Sequence, residues 1–356
     1  MSARPPVRPD LKLNEGYHSP QVEVEVRLNT NESPFPPPQA WSDELLAALG
    51  DASFHRYPDR PATELRAAIA ELHEVTPAEV FCANGSNEVL QCLLLAYGGP
   101  GRKALVFEPT YALHSHISRL TGTEVIVGGR TDDFRIDPDD ARRLITQEQP
   151  DITFLCSPNN PTGRSEPRPT VEAVLDAAPG LVIVDEAYGQ FSSWSALSLR
   201  SATDEHPGLV VTRTFSKTWA MAGARLGYLV ADPEVVQAAD SVALPYHLST
   251  QTQLAGLLAL RHTDEMEARV ALISEERGRI AAALADLPVE SWPSDANFIL
   301  FRPLTNDADA VWQGLLDRSI LVRNCAGWDG LPGCLRVTIG RPDENDRFLE
   351  ALKECL

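Results

Sequence analysis

Residues 181–188 read LVIVDEAY, an apolar run that ends abruptly in an aspartate and a glutamate. Two other segments have the same construction. Residues 152–156 read ITFLC and lead into SPNNPTG (157–163), and residues 209–213 read LVVTR and lead into TFSK (214–217). A short run rich in β-branched residues and bounded by turn or polar residues is typical of a buried strand. The three segments therefore predict strands whose carboxyl ends carry polar side chains.

The pattern around these segments predicts an α/β fold with a mostly parallel, seven-stranded sheet. Helical patterns or long connections fill most of the gaps between apolar, β-prone runs near residues 80–82, 103–107, 124–128, 152–156, 181–184, 209–213 and 226–230. This alternation is typical of a parallel sheet with helices on both faces. Ligands of such sheets bind beyond the carboxyl ends of the strands, which is where Asn160, Asp185 and Lys217 fall.

Composition divides the chain into three regions. Residues 1–40 are rich in proline and predict an extended arm, because a proline-rich stretch such as residues 34–38 excludes a helix. Residues 41–250 contain the predicted sheet and form a large α/β domain. Residues 251–356 predict a smaller α+β domain, which the N-terminal segment joins. Its expected helices lie near 249–285, 307–318 and 343–354, and its expected strands near 289–291, 297–302 and 334–339.

Charge and cysteine usage narrow the possible partners and the compartment. The 356 residues carry a formal net charge of −19, which argues against binding to nucleic acid or to an anionic membrane surface. An anionic substrate must then be captured by a local arginine cluster. The six cysteines show no CxxC spacing, and residues 1–6 lack the apolar stretch of a signal peptide. We expect a cytoplasmic protein with reduced thiols and no transmembrane segment.

The polar residues after the strands suit an aromatic aldehyde cofactor that carries a phosphate. Lys217 supplies the primary amine with which an aldehyde forms a Schiff base. Asp185 is a carboxylate that can keep a pyridine nitrogen protonated, and Asn160 and Tyr188 are neutral donors for a phenolate oxygen. A phosphate suits hydroxyl groups, an arginine and a helix N-terminus. The sequence offers Ser216 and Arg225 for it, with a second phosphate cradle in NGSNE (84–88).

With these motifs in this order, the chain resembles the fold-type I aminotransferases that depend on pyridoxal 5'-phosphate. Within that superfamily it most resembles the histidinol-phosphate aminotransferases. The resemblance runs from LNTNESP (28–34) to LRVTIG (335–340), so it covers nearly the whole chain. It implies a large cofactor-binding domain beside a smaller α+β domain.

The resemblance also implies roles for individual residues. Lys217, Asp185 and Tyr188 are the expected catalytic residues, with Lys217 acting as the general base once the substrate has displaced it from the cofactor. The other expected contacts to pyridoxal 5'-phosphate come from Ser86, Asn87, Tyr111, Asn160, Thr214, Ser216 and Arg225. Tyr57 is expected to reach the cofactor phosphate of the partner subunit, so the resemblance implies a homodimer.

For the substrate, the resemblance points to Arg323 and Arg336, and with them to Tyr17, Asn31 and the segment around His247. Arg336 lies inside the apolar run 334–339, where a charge must find a partner, and a guanidinium binds a phosphate or a carboxylate bidentately. The expected reaction exchanges an amino group between L-histidinol phosphate and 2-oxoglutarate in histidine biosynthesis, by a ping-pong cycle.

Three other functions stay open on the sequence. An aromatic amino acid aminotransferase and a threonine-phosphate decarboxylase would share every cofactor residue. A non-catalytic regulator that binds pyridoxal phosphate would carry an added DNA-binding domain, for which a 40-residue proline-rich arm is too short. We expect no metal site. His114-Ser115-His116 has metal-like spacing, but no acidic or cysteine partner stands nearby in the sequence, so we interpret it as structural.

Overall fold

The computed structural model describes residues 22–200 and 206–356. Tyr17 and residues 1–21 of the expected arm lie outside the described residues. The strands are β1 (Val26–Leu28), β2 (Val80–Ala83), β3 (Lys103–Phe107), β4 (Glu124–Gly128), β5 (Ile152–Cys156), β6 (Leu181–Asp185), β7 (Leu209–Thr214), β8 (Gly227–Val230), β9 (Val289–Ser291), β10 (Phe298–Pro303), β11 (Ile320–Asn324) and β12 (Leu335–Thr338). The α-helices are α1 (Gln39–Gly50), α2 (Thr63–Leu72), α3 (Ser86–Tyr97), α4 (Leu113–Leu120), α5 (Pro138–Glu148), α6 (Arg168–Ala177), α7 (Pro233–Val242), α8 (Thr250–Ala259), α9 (Thr263–Ala285), α10 (Ala308–Asp317) and α11 (Pro342–Cys355).

A seven-stranded sheet has the order β2-β8-β7-β6-β5-β3-β4. Its strands run parallel except for β8, which pairs antiparallel with both β2 and β7. The predicted fold class, α/β with a mostly parallel seven-stranded sheet, is therefore confirmed. The register pairs Cys156 with Asp185 and Asp185 with Thr212, so the carboxyl ends of β5, β6 and β7 lie side by side.

Both faces of this sheet are covered because successive strand side chains point to opposite faces. On one face, Ile183 and Val210 pack in a core cluster with Val89 and Leu93 of α3. On the other face, Val182, Val184 and Val211 pack in a second cluster with helices α5 and α6. Burial on both faces explains why these strands read as continuous apolar runs rather than as alternating ones.

A second sheet of five strands has the order β1-β11-β12-β10-β9. Its core contains side chains from β10, β11 and β12 packed against helices α9, α10 and α11. β1 lies in the segment expected to be an extended arm, and it pairs parallel with β11. The sequence pattern identified neither β1 nor β11, since both are short and are completed by pairing with a distant segment.

The stretch expected as one helix over 249–285 is broken in the structure. Helix α8 ends at Ala259, a 3-10 turn spans Leu260–His262, and α9 begins at Thr263. Ala255 and Ala259 of α8 pack in a cluster with Leu65 of α2 and Tyr228 of β8, whereas Ile273 and Ile280 of α9 pack with the five-stranded sheet. The break therefore lies where the chain passes from one sheet to the other. No helix within residues 22–200 or 206–356 is long and apolar enough to cross a membrane.

Candidate active site

A cavity of about 280 Å³ opens at the carboxyl ends of β5, β6 and β7. Its wall contains residues from both sheets and from the segment that follows β1. It brings together most of the residues that the sequence identified: Asn31, Ser86, Asn87, Tyr111, Asn160, Asp185, Tyr188, Thr214, Ser216, Lys217, Arg225 and Arg336. Residues from distant parts of the chain thus meet where the sheet topology places a ligand.

Asp185 is the last residue of β6, and its side chain is buried. Oδ1 accepts hydrogen bonds from the backbone N–H of Ala187 at 3.1 Å and from Thr212 Oγ1 at 3.3 Å. Oδ2 lies 3.0 Å from Nε2 of His114, which is also fully buried and stacks on Phe154. These three contacts fix the orientation of the carboxylate at the floor of the cavity.

The contact of His114 with Asp185 is one that the sequence interpretation missed. The sequence interpretation assigns His114 a structural role because no acidic residue stands near it in the chain, yet Asp185 is its partner across 71 residues. Because β3 and β6 are separated in the sheet only by β5, the helix that follows β3 brings its first turn over the end of β6. The sequence held one indication of this contact. It was a histidine on the buried face of that helix, with a strand that ends in aspartate further along the chain.

Lys217 follows β7, and its Nζ donates a hydrogen bond to the backbone carbonyl of Thr30 at 3.1 Å. Burial chiefly, together with the nearby Arg336 and Arg225, lowers the pKa of this amine from 10.5 to about 8, and Glu32 opposes the shift. At neutral pH about a tenth of the amine is therefore uncharged, and the uncharged form is the one that attacks a carbonyl.

Tyr188 and Asn160 place neutral hydrogen-bonding groups beside Lys217. Burial raises the pKa of the Tyr188 hydroxyl well above 10, so it stays protonated at neutral pH. Its oxygen accepts a hydrogen bond from Asn31 Nδ2 at 2.9 Å, which leaves the hydroxyl proton to be donated. The Asn160 Oδ1 accepts from Arg336 Nη1 at 2.5 Å, so the amide Nδ2 of Asn160 is the end left to donate.

Two glycines shape the opposite end of the cavity, at the first turn of α3. Gly85 has φ +80, and a Cβ there would lie 2.6 Å from Arg225 Nη2. A Cβ on Gly227 would lie 2.2 Å from the backbone nitrogen of Ser86. The absence of a side chain at Gly85 lets the Arg225 guanidinium approach the helix N-terminus, and its absence at Gly227 lets β8 lie against the same turn. Backbone N–H groups and a positive charge at this end favour an anion.

Ser216, Thr214, Tyr111 and Asn87 complete this end. The Ser216 hydroxyl accepts hydrogen bonds from Thr214 Oγ1 at 2.9 Å and from Arg225 Nη1 at 3.5 Å. The Tyr111 hydroxyl donates to Asn87 Oδ1 at 3.1 Å, which holds the half-buried Tyr111 ring over the cavity mouth beside α3. The hydroxyl groups, guanidinium and helix N-terminus expected for a phosphate are therefore in one place.

Arg336 enters the cavity from β12. It is buried, its Nη2 donates to the backbone carbonyl of Asn29 at 2.9 Å, and its guanidinium lies 5.1 Å from the centre of the Phe298 ring. Nε is buried and has no hydrogen-bond acceptor among the described residues. The β11–β12 register places Arg323 directly opposite Arg336. Arg323 contacts the ring of Trp328, with 5.3 Å from its Cζ to the ring centre.

Three residues expected in the site, Arg323, Tyr57 and His247, lie away from the described part of the cavity wall. Arg323 is one strand removed from it, on β11. Tyr57 is 80% exposed and stacks on Tyr246, with 4.5 Å between ring centres. His247 lies behind the α3 cradle, where its Nε2 is 2.9 Å from the carbonyl of Cys82.

Thr30, Glu32 and Cys156 also line the cavity, and the sequence interpretation assigned them no role. Cys156 ends β5 and pairs in register with Asp185. Thr30 and Glu32 flank Asn31 in the segment after β1. Their place in the wall depends on the pairing of β1 with β11. Recognising β1 in the sequence would have been the structural signal for these two residues.

Comparison with known proteins agrees with this geometry. Residues 23–352 match the family model of aminotransferase class I and II. Histidinol-phosphate aminotransferase from Mycobacterium avium is 48% identical over 97% of this chain and 87% of its own length. That from Thermobifida fusca is 48% identical over 98% of this chain and 94% of its own. The crystal structure of histidinol-phosphate aminotransferase from Sinorhizobium meliloti in complex with pyridoxal-5'-phosphate superposes with a TM-score of 0.86 at 27% identity, over 94% of this chain and 91% of that one.

The order of motifs, the sheet topology and the extent of these matches agree along almost the entire chain. The chain therefore belongs to the class I and II aminotransferases and, within them, to the histidinol-phosphate aminotransferases.

Proposed function

We propose that this protein is a pyridoxal-phosphate-dependent aminotransferase that exchanges an amino group between L-histidinol phosphate and 2-oxoglutarate, as a step of histidine biosynthesis. The observation that carries the substrate assignment is the 48% identity to curated histidinol-phosphate aminotransferases over nearly the whole chain. The cavity supports this assignment, because its lining brings together an amine, a buried carboxylate, an anion cradle and an arginine.

The residues of the cavity fit pyridoxal 5'-phosphate. Ser86, Ser216 and Arg225 would hold its phosphate, in the space that Gly85 and Gly227 leave open. Asp185 would bind its ring nitrogen, Asn160 and Tyr188 its phenolate oxygen, and Tyr111 would cover its ring. When bound, the cofactor supplies an aldehyde for covalent attachment and a pyridine ring that accepts electrons from the substrate carbon.

The chain itself supplies proton transfer and electrostatic positioning. Lys217 Nζ takes the proton that leaves the substrate carbon bearing the amino group, and its lowered pKa keeps it a competent base near neutral pH. Asp185, which His114 and Thr212 orient, would stabilise the positive charge of the cofactor's protonated ring nitrogen at the floor of the site. Tyr188 stays a neutral donor because burial raises the pKa of its hydroxyl.

The two arginines suit a site that must accept two different anions. Histidinol phosphate has a phosphate and no carboxylate, whereas glutamate has two carboxylates. Arg323 and Arg336 are directly opposite on antiparallel strands, an arrangement in which the two like charges repel each other. A phosphate in one half-reaction and a carboxylate in the other would each relieve that repulsion. Asn31 helps to shape this end, and Tyr17, outside the described residues, is proposed to join it.

We further propose a cytoplasmic homodimer. Leu46, Phe54, Tyr57, Leu244 and Tyr246 are large apolar side chains that the single chain leaves exposed. The loop carrying Tyr246 adjoins the phosphate cradle, since Asn84 Nδ2 donates to the carbonyl of His247 at 2.8 Å. A second copy covering this surface would bring Tyr57 to its partner's cradle. The six cysteines are all free thiols, as expected in a reducing compartment. Sedimentation at working concentration tests the dimer, and a fully active monomer would refute it.

One assay separates the proposed function from its alternatives. Single-turnover spectra of the cofactor-loaded protein are recorded with L-histidinol phosphate, L-phenylalanine and L-threonine phosphate. We expect the fastest amino transfer with L-histidinol phosphate. Faster transfer from phenylalanine would favour an aromatic aminotransferase, and release of carbon dioxide from threonine phosphate would favour a decarboxylase.

A further inference from the structure

The cavity contains one carboxylate for which the proposed function has no role. Of the described residues that line it, Asp185 and Glu32 are the acidic ones. Asp185 is buried and already contacts His114, Thr212 and the N–H of Ala187. Glu32 is 44% exposed in its side chain and faces a cavity that otherwise carries the cations Lys217, Arg225 and Arg336.

The backbone holds Glu32 firmly against this cavity. The preceding residue, Asn31, is buried with φ 56, a left-handed conformation that asparagine tolerates better than most residues. Asn31 is anchored by its N–H to Thr338 Oγ1 at 3.0 Å, by Nδ2 to Tyr188 at 2.9 Å, and by its carbonyl to Asn297 Nδ2 at 3.1 Å. The position of Glu32 is therefore set by both β12 and the loop after β6.

The carboxylate of Glu32 is only partly engaged. Oε2 accepts a hydrogen bond from Thr30 Oγ1 at 2.8 Å, and Arg27 Nη2 lies 3.6 Å from it on the outer side. Oε1 has no hydrogen-bond donor among the described residues. One oxygen of a residue that lines the cavity is thus left without a donor, and Glu32 is close enough to Lys217 to raise the pKa of its amine.

We propose that Glu32 is a specificity-determining residue, and that its carboxylate accepts a hydrogen bond from the imidazole ring of the substrate. The inference rests on the proposed function, because only that substrate brings an imidazole into the site. Its amino group belongs at Lys217 and its phosphate at the arginines, which leaves a ring N–H to be paired. An ionised carboxylate is a strong acceptor for an N–H, and stronger for a protonated imidazole.

The negative charge of Glu32 affects other amino donors differently, according to their side chains. The side-chain carboxylate of glutamate is repelled by Glu32, while the phenyl ring of phenylalanine makes no charged contact with it. Glu32 therefore favours the imidazole substrate over an acidic one, although both use the same arginines. This difference gives the inference a readout that a general role in folding or in tuning Lys217 would not produce.

The test is the variant Glu32→Gln in the cofactor-loaded protein, assayed for kcat/KM with L-histidinol phosphate, L-glutamate and L-phenylalanine. Glutamine keeps the size and the bond to Thr30 but removes the charge. We expect a loss of about tenfold for histidinol phosphate, the low end for a charge-assisted bond at a half-exposed site. The kcat/KM for glutamate should be unchanged or higher, and the kcat/KM for phenylalanine should change by less than about twofold.

Glu25→Gln is the matched control, since it removes the same charge from the same segment, lies outside the cavity and pairs with Arg347. It should leave all three substrates unchanged. An equal loss for all three substrates in Glu32→Gln, or no loss for any, would overturn the inference while leaving the proposed function standing. If the unmutated protein prefers phenylalanine to histidinol phosphate, the proposed function itself fails, and this inference fails with it.

Discussion

The cavity has two walls that are built in different ways. The cofactor wall (Ser86, Asp185, Ser216, Lys217 and Arg225) belongs to the seven-stranded sheet and its connections, and each residue ends or follows a strand of that sheet. The substrate wall (Asn31, Glu32 and Arg336) belongs to the five-stranded sheet and the segment after β1.

The substrate wall depends on very long-range contacts, such as Arg336 Nη2 to the carbonyl of Asn29, 307 residues away in the chain. We infer from this difference that the residues of one sheet carry out the chemistry, while those of the other determine which molecule undergoes it. Changes in the cofactor wall should therefore lower turnover of every substrate alike, and changes in the substrate wall should alter selection among substrates.

The largest effect is expected at Lys217. Lys217→Ala removes both the amine that attaches the cofactor and the base that moves the substrate proton, so activity should fall on the order of 10⁴-fold. Borohydride treatment should leave the cofactor covalently attached to the unmutated protein and not to the variant, as measured by mass spectrometry. Lys353→Ala, an exposed lysine of α11, serves as the control. Equal attachment to the Lys217 variant would show that another amine carries the cofactor.

Asp185→Asn should have the next largest effect. Asparagine preserves the size and the contact to His114 but removes the charge that holds a protonated ring nitrogen, so we expect turnover to fall by about 10²–10³-fold with the cofactor still bound. Half-reaction rates measured with each substrate should fall alike. Asp176→Asn, at an exposed position on α6, controls for net charge. Rates near those of the unmutated protein would remove Asp185 from the catalytic role.

Arg336→Ala should affect substrate selection. The loss of a charge-assisted contact should raise KM about 10- to 100-fold for both histidinol phosphate and glutamate. Arg323→Ala should raise KM for histidinol phosphate more than KM for phenylalanine, because only histidinol phosphate carries a phosphate. Steady-state kinetics with the three substrates measure both variants. Unchanged KM values in Arg336→Ala would show that the anion is held elsewhere.

The pH dependence of cofactor capture should link the two walls. Because burial and Arg336 lower the pKa of Lys217 to about 8, the neutral amine accumulates as pH rises through that value. The rate of capture by the cofactor-free protein should therefore rise about tenfold per pH unit below pH 8 and level off above it. In Arg336→Ala the midpoint should move to higher pH, since a cation that lowers the pKa is gone. Stopped-flow absorbance measures both, and a rate that keeps rising to pH 10 would contradict the lowered pKa.

The sequence predicted the cofactor wall well because its information is local. Each strand of the large sheet is an uninterrupted apolar run, and Asn160, Asp185 and Lys217 come directly after such runs. Since parallel strands share one carboxyl edge, knowing the fold class placed these residues together without knowing any distance. The structure places them in one cavity, while their individual roles remain proposals.

The substrate wall could not be predicted from local sequence patterns in the same way. β1 has three residues and is held by pairing with β11 almost 300 residues later, so no local pattern identifies it. Without β1, the one indication for Glu32 was its position next to Asn31, which the resemblance placed in the substrate site. The pairing of His114 with Asp185 was missed for the same reason, because it depends on a helix and a strand that meet only in the folded sheet.

The most direct test of the two-wall account compares Ser216→Ala with Arg336→Ala in two measurements on each protein. One is the dissociation constant of pyridoxal 5'-phosphate, and the other is KM for L-histidinol phosphate at saturating cofactor. The account predicts a crossed result: Ser216→Ala weakens cofactor binding and leaves KM unchanged, whereas Arg336→Ala raises KM and lowers cofactor affinity far less than Ser216→Ala does. If each variant impaired both quantities to the same extent, the walls would not be functionally separate, and the account would be contradicted.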